Sequence, residues 1–129
     1  MTDKNGVLKI EANSHWPKVE LNKQTGVLEI SGRSIVENAI RFFEPIMEWI
    51  DAYCEHPAEK TELHLKLEYF NTSTSKYILS IFEKLEEIFN EGKEVEIFWY
   101  SFDEDMEELG EDYQAMVDVP FQFLKYSNN

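Results

Sequence analysis

The run TELHLKLEYF at residues 61–70 alternates strictly, with Leu63, Leu65, Leu67 and Tyr69 apolar and Glu62, His64, Lys66 and Glu68 polar between them. A period of two puts the apolar set on one face of a strand, so the sheet containing it is covered on one side only. Across the junction of residues 71–75 the period changes. Tyr77, Ile78, Ile81, Phe82, Leu85, Ile88 and Phe89 recur at three- and four-residue steps, which predicts a helix over 76–89 with Gly92 just past its end. A one-faced strand feeding a helix through so short a junction is half of a right-handed crossover to a parallel neighbour.

The rest of the chain fits that unit. VLKIEA, KVELN and TGVLEIS read as short strands, with the turn signal KQTG between the second and third, and predict an opening hairpin. Over residues 34–54, Val36, Ala39, Ile40, Phe43, Ile46, Met47, Ile50 and Tyr53 follow a helical period. Ser34 with Glu37 fits a capping box, Pro45 should kink or split the helix, and His56-Pro57 should stop it. EVEIFWY predicts a strand, DEDMEELGEDYQAMV an acidic helix interrupted at Gly110, and PFQFLKY a last strand. The order β-β-β-α-β-α-β-α-β predicts an α/β fold, a mixed and mostly parallel sheet with an N-terminal hairpin and helices mainly on one face. With no linker, repeat or low-complexity stretch, residues 1–129 read as one domain.

Composition narrows the function. Hydrophobic residues make up 43% and aromatic residues 14%, enough for a packed core. The net charge of −14, from 26 acids against 12 bases, repels phosphate backbones and anionic headgroups, so neither nucleic acid nor a membrane surface suits as a partner. The start MTDKNGVLKI has no apolar signal core, and the chain reads as cytoplasmic. Cys54, the single cysteine, falls on an amphipathic helix and reads as a small buried hydrophobe.

The search for catalytic chemistry is thin. His15, His56 and His64 fall in a loop, at a helix end and on the polar face of a strand, without ligand spacing between them. Phosphate-loop, dinucleotide, nucleophile-elbow and zinc-protease motifs are absent from the sequence. The acidic stretch at 103–112 lacks the frame of a calcium loop and reads as a solvated helix face or a docking surface for a basic partner. No cofactor or metal is implied.

What remains is a cluster of hydroxyls, Thr72, Ser73, Thr74 and Ser75, at the strand-helix junction. Capping of the helix start, worth about 1 kcal/mol, accounts for one hydroxyl and not for four. Modification is the other reading, because free N–H groups and the positive end of the dipole at a helix start accommodate a phosphoryl group.

The segments LEYFNTSTSK and TGVLEISGRSIVENAIRFFEPIMEWIDAY, with an acidic stretch after an IFWY strand, resemble the SiaC-type regulatory phosphoproteins, themselves similar to the anti-anti-sigma-factor (STAS) class. The likeness covers about residues 19–123 and is most specific over residues 71–76. It implies phosphorylation of Thr72, the threonine directly after Asn71, by a Ser/Thr protein kinase, and reversal by a metal-dependent Ser/Thr phosphatase. It also implies a STAS-like fold and an unphosphorylated form that binds and activates a diguanylate cyclase. Tyr69, Asn71, Ser73, Thr74, Ser75 and Lys76 would flank the phosphosite and meet a partner.

The expectation is therefore a non-enzymatic adaptor switched at Thr72. The alternatives are a constitutive binding module whose hydroxyls only cap a helix, and, last, a small hydrolase or transferase with an unrecognised site. In local terms, Tyr69 should end the apolar face of its strand, Thr72 or Ser73 should cap the helix, and Thr72 should be at least partly exposed.

Overall fold

The computed structural model describes Asp3 and residues 6–126; the remaining ends of the expected 1–129 domain lie outside the described residues. The elements are β1 (Val7–Ile10), β2 (Lys18–Asn22), β3 (Val27–Ser34), α1 (Ala39–Glu55), β4 (Lys60–Phe70), α2 (Thr72–Asn90), β5 (Glu94–Ser101), α3 (Glu104–Gln114) and β6 (Phe121–Lys125). They form a six-stranded sheet in the order β1-β2-β3-β4-β5-β6. The first three strands pair antiparallel, and the pairs β3·β4, β4·β5 and β5·β6 are parallel, each bridged by a helix. This is the mixed α/β sheet that the alternation of periods predicts.

The three helices cover one face. Leu21, Leu28, Ile30, Leu63, Leu65, Val95, Ile97 and Trp99 point from the strands into a core closed by Phe43, Ile46 and Ile50 of α1 and Ile78, Phe82 and Leu85 of α2. Full burial of side chains of this size contributes about 1.5–3 kcal/mol each, which fixes the register. On the other face polar groups pair across strands. Lys66 Nζ meets Glu29 at 3.2 Å, and the His64 ring stacks on Phe98 at 4.4 Å with its nitrogens on Glu62 and Tyr100.

Four local expectations are corrected. Helix α1 starts at Ala39, capped by Asn38, whose side chain accepts from Arg41 N; Ser34 stays in β3 because the strand goes on pairing as far as Phe70. The helix also runs through Pro45 as one element and is not split in two there, the exposed proline standing at the surface. Helix α2 begins at Thr72, so the hydroxyl cluster forms its first turn, and its cap is Asn71, neither Thr72 nor Ser73. Helix α3 is not interrupted at Gly110, which lies against the Trp99 ring where a Cβ would come within 2.6 Å.

Tyr69 is the other departure. Gly32 pairs with Leu67 and Arg33 with Tyr69, so Glu68 is an extra residue on β4. That bulge reverses the alternation. Tyr69 turns outward, 49% exposed, and Phe70 swings in to meet Trp99 edge-on.

Candidate functional site

The ends of β3 and β4 meet the start of α2 at Asn71, which makes five hydrogen bonds. Its backbone N–H donates to Ser34 O (3.0 Å) and its Nδ2 to Val36 O (3.1 Å). Its Oδ1 accepts from Thr74 N (3.0 Å) and from the Ser73 hydroxyl (3.1 Å), and its carbonyl accepts from Ser75 N (3.1 Å). A short amide in extended conformation, φ −86° and ψ 173°, can cap the helix and reach back to the preceding loop at once.

This geometry separates the four hydroxyls. Thr74 is buried and shares a 2.8 Å hydrogen bond with Ser34. It faces the core and does not line the surface. Ser75 donates to Thr72 O at 2.6 Å, and Ser73 is held by Asn71. Thr72 is exposed, and among the described residues its hydroxyl makes no hydrogen bond. The N–H groups of Thr72 and Ser73 are the open donors of the first turn, and the exposed Lys76 stands one turn on, on the same side of the helix as Thr72. The turn is anchored from α3 by Tyr113, whose hydroxyl donates to Ser75 O at 2.9 Å.

Two contributors lay beyond sequence reasoning. Ser34 reads as a helix cap and Val36 as a residue of that helix's apolar stripe; instead Ser34, the last residue of β3, bonds Thr74 through its hydroxyl and Asn71 through its carbonyl, and the Val36 carbonyl braces Asn71 from the β3–α1 connection. Pairings across 40 and 35 positions leave no trace in local spacing.

Elsewhere the ionisable groups serve structure. Burial pushes the Cys54 thiol up to about 11, with Glu87 and Asp51 adding to the effect, so it is a poor nucleophile near neutral pH. The Glu62 carboxyl is held below its ordinary range, first by its hydrogen bond from His64. Among the described residues no group of three His, Cys, Asp or Glu side chains converges to hold a metal, and no helix is long and apolar enough to cross a membrane.

Comparison with known proteins matches residues 10–126 to a family described as SiaC family regulatory phosphoprotein. A protein of Pseudomonas aeruginosa strain UCBPP-PA14 without an assigned function is 29% identical over 116 residues, covering 88% of this chain and 92% of the relative. Two crystal structures from Pseudomonas aeruginosa superpose closely at 28% identity. One is SiaC in complex with the diguanylate cyclase SiaD, which it activates (TM-score 0.87, covering 92% of this chain and 99% of that one). The other is apo-SiaC (TM-score 0.86, covering 92% and 98%).

Proposed function

Because this chain belongs to the SiaC family of regulatory phosphoproteins, we propose that it is a cytoplasmic, non-enzymatic signalling adaptor switched by phosphorylation at Thr72. Its unphosphorylated form binds and regulates a diguanylate cyclase, a reading supported by the complex of SiaC with the cyclase SiaD that it activates. A Ser/Thr kinase adds the phosphoryl group and a metal-dependent phosphatase removes it.

The observation that carries the site is the sorting of the hydroxyl cluster: Thr74 is sealed, Ser73 is tied to the Asn71 side chain and Ser75 to the Thr72 carbonyl, and Thr72 is free at the surface. A kinase reaches it without local unfolding. The constitutive alternative needs the cluster for capping, yet Asn71 does the capping by itself. A phosphoryl group on Thr72 would stand beside the open N–H groups of the first turn, in the favourable end of the dipole and within one turn of Lys76.

Globally the added charge is small, taking −14 to about −16. The switch is therefore local. A dianion carries a hydration shell that a docked surface must strip, so a partner seated against Thr72 is displaced.

The test is intact-mass and peptide analysis after incubation with a kinase that modifies the protein, alongside Thr72→Ala. A single added phosphoryl group, mapped to Thr72 and absent from the variant, is expected. Labelling only at other positions would overturn the assignment.

A further inference from the structure

A groove of about 570 Å³ opens between the β1–β2 connection and the start of α1, walled by Ile10, Trp16, Val36, Phe42 and Pro45. One exposed wall is firmly held. Trp16 is 38% exposed and stacks on Phe42 with ring centroids 5.4 Å apart. Its indole N–H donates to Glu11 O (3.0 Å), its backbone N–H and that of His15 donate to Asn13 Oδ1 (2.9 and 2.8 Å), and Ile35 N donates to His15 O (2.8 Å). A tryptophan left half in water normally gives up burial and gains mobility. Here the loop bonds hold it open, the arrangement of a preformed anchor at a protein interface.

The groove also borders the Thr72 site. Glu37 and Asn38 line it and also line the neighbouring depression formed with Ile40, Ser73 and Lys76. Asn71 connects the two mechanically, since the amide that caps α2 donates to the carbonyl of Val36 in the groove wall.

We propose that this groove seats an amphipathic helix of a partner protein, with apolar side chains against Trp16 and Phe42 and basic residues toward the rim. The shape calls for apolar anchors at successive helical turns. The charge selects the flanks: Glu37 lines the groove and the exposed Glu11 and Glu44 adjoin lining residues, against Arg41, on a chain of net charge −14. The same charge disfavours a second copy of this chain as the occupant, because like rims and like net charges would meet. The inference deepens the adaptor reading and rests on it for the existence of a partner, while its test uses the unmodified protein and needs no kinase.

The probe is a 16-residue amidated helical peptide with leucines at i, i+3, i+4 and i+7 spacing and lysines elsewhere, beside a counterpart with glutamates for lysines. Titration followed by ¹H–¹⁵N spectra is expected to move the Trp16 indole and Val36 resonances with the lysine peptide only. Trp16→Ala and, separately, Phe42→Leu are expected to weaken binding at least tenfold. The wild-type spectra map the site even where a variant folds poorly. Absence of binding, equal binding of both peptides, unchanged affinity in folded variants or shifts confined to another face would overturn the proposal. So would a concentration-dependent dimer with Trp16 at its interface. Failure here leaves modification at Thr72 untouched, and failure of labelling at Thr72 leaves the groove untouched.

Discussion

The Ser34 and Thr74 hydroxyls lie 2.8 Å apart, 40 positions separated in the chain and both closed off from solvent. That bond joins the last residue of β3 to the first turn of α2, beside the backbone bond from Asn71 N to Ser34 O. It holds the helix start, and with it Thr72, against the ends of β3 and β4.

Removing one hydroxyl leaves the other buried without a partner. Ser34→Ala is expected to cost about 1–3 kcal/mol, while the double change Ser34→Ala with Thr74→Val, which removes both polar groups, recovers part of the loss. Urea denaturation of the two single variants and the double variant gives the coupling directly. Additive losses would mean that the two hydroxyls do not interact.

Gly110 offers a second test of packing. An alanine there gains about 1 kcal/mol of helix propensity. Its Cβ would come within 2.6 Å of Trp99 Cδ1 and Nε1, and that ring is fixed by its hydrogen bond to Met106 O (2.9 Å) and by Phe82 and Tyr113 around it. Overpacking a rigid ring costs about 1–3 kcal/mol. Gly110→Ala is therefore expected to lower the thermal midpoint despite its propensity. A raised midpoint would show that α3 can slide away from β5.

These residues also show what the sequence discloses. The periods of β4 and α2 set the one-sided sheet, the crossovers and most of the core, because burial of Leu63, Leu65 and Ile78 acts through local spacing. The departures lie where tertiary contact overrides a local signal. Ser34 looks like a cap until its strand is seen to keep pairing with β4, Gly110 looks like a breaker until Trp99 is placed against it, and Tyr69 looks inward until the bulge at Glu68 reverses the face. At the candidate site the hydroxyl cluster and Asn71 were legible. The sorting of one free hydroxyl from three engaged ones was not, since it depends on where the helix starts and on a partner in β3.

The alkaline limb of stability has a definite sign. Burial raises the Cys54 thiol from 9.0 to about 11 and the Tyr113 phenol from 10.0 to about 12. In both the protonated, neutral form is favoured by folding. Their contribution is complete below about pH 9 and is lost as pH rises through the folded-state values. The urea midpoint is expected to stay level up to about pH 9 and then to decline, with Cys54→Ala flattening the first part of the fall. At pH 8 the raised thiol carries about a hundredfold less thiolate than an unperturbed cysteine has, so alkylation should be slow in the native state and fast in urea. Native labelling at the denatured rate would contradict the burial.

Thr72→Glu separates stability from binding at the proposed switch. The side chain is exposed at the first position of α2, outside the Asn71 cap and the buried Ser34–Thr74 bond, so the change removes no packed group. A carboxylate there faces the open N–H groups of Thr72 and Ser73 and the positive end of the helix, an interaction worth about 0.3–1 kcal/mol. The thermal midpoint is accordingly expected to stay within a few degrees of wild type. Binding of a cognate diguanylate cyclase, measured by calorimetry, should weaken at least tenfold, about 1.4 kcal/mol, because the docked surface must then desolvate a charge. Thr72→Ala should bind like the unmodified protein, which distinguishes the added charge from loss of the hydroxyl. Equal affinity of all three forms would mean that the partner sits away from this helix start and that the free hydroxyl of Thr72 is not its control point.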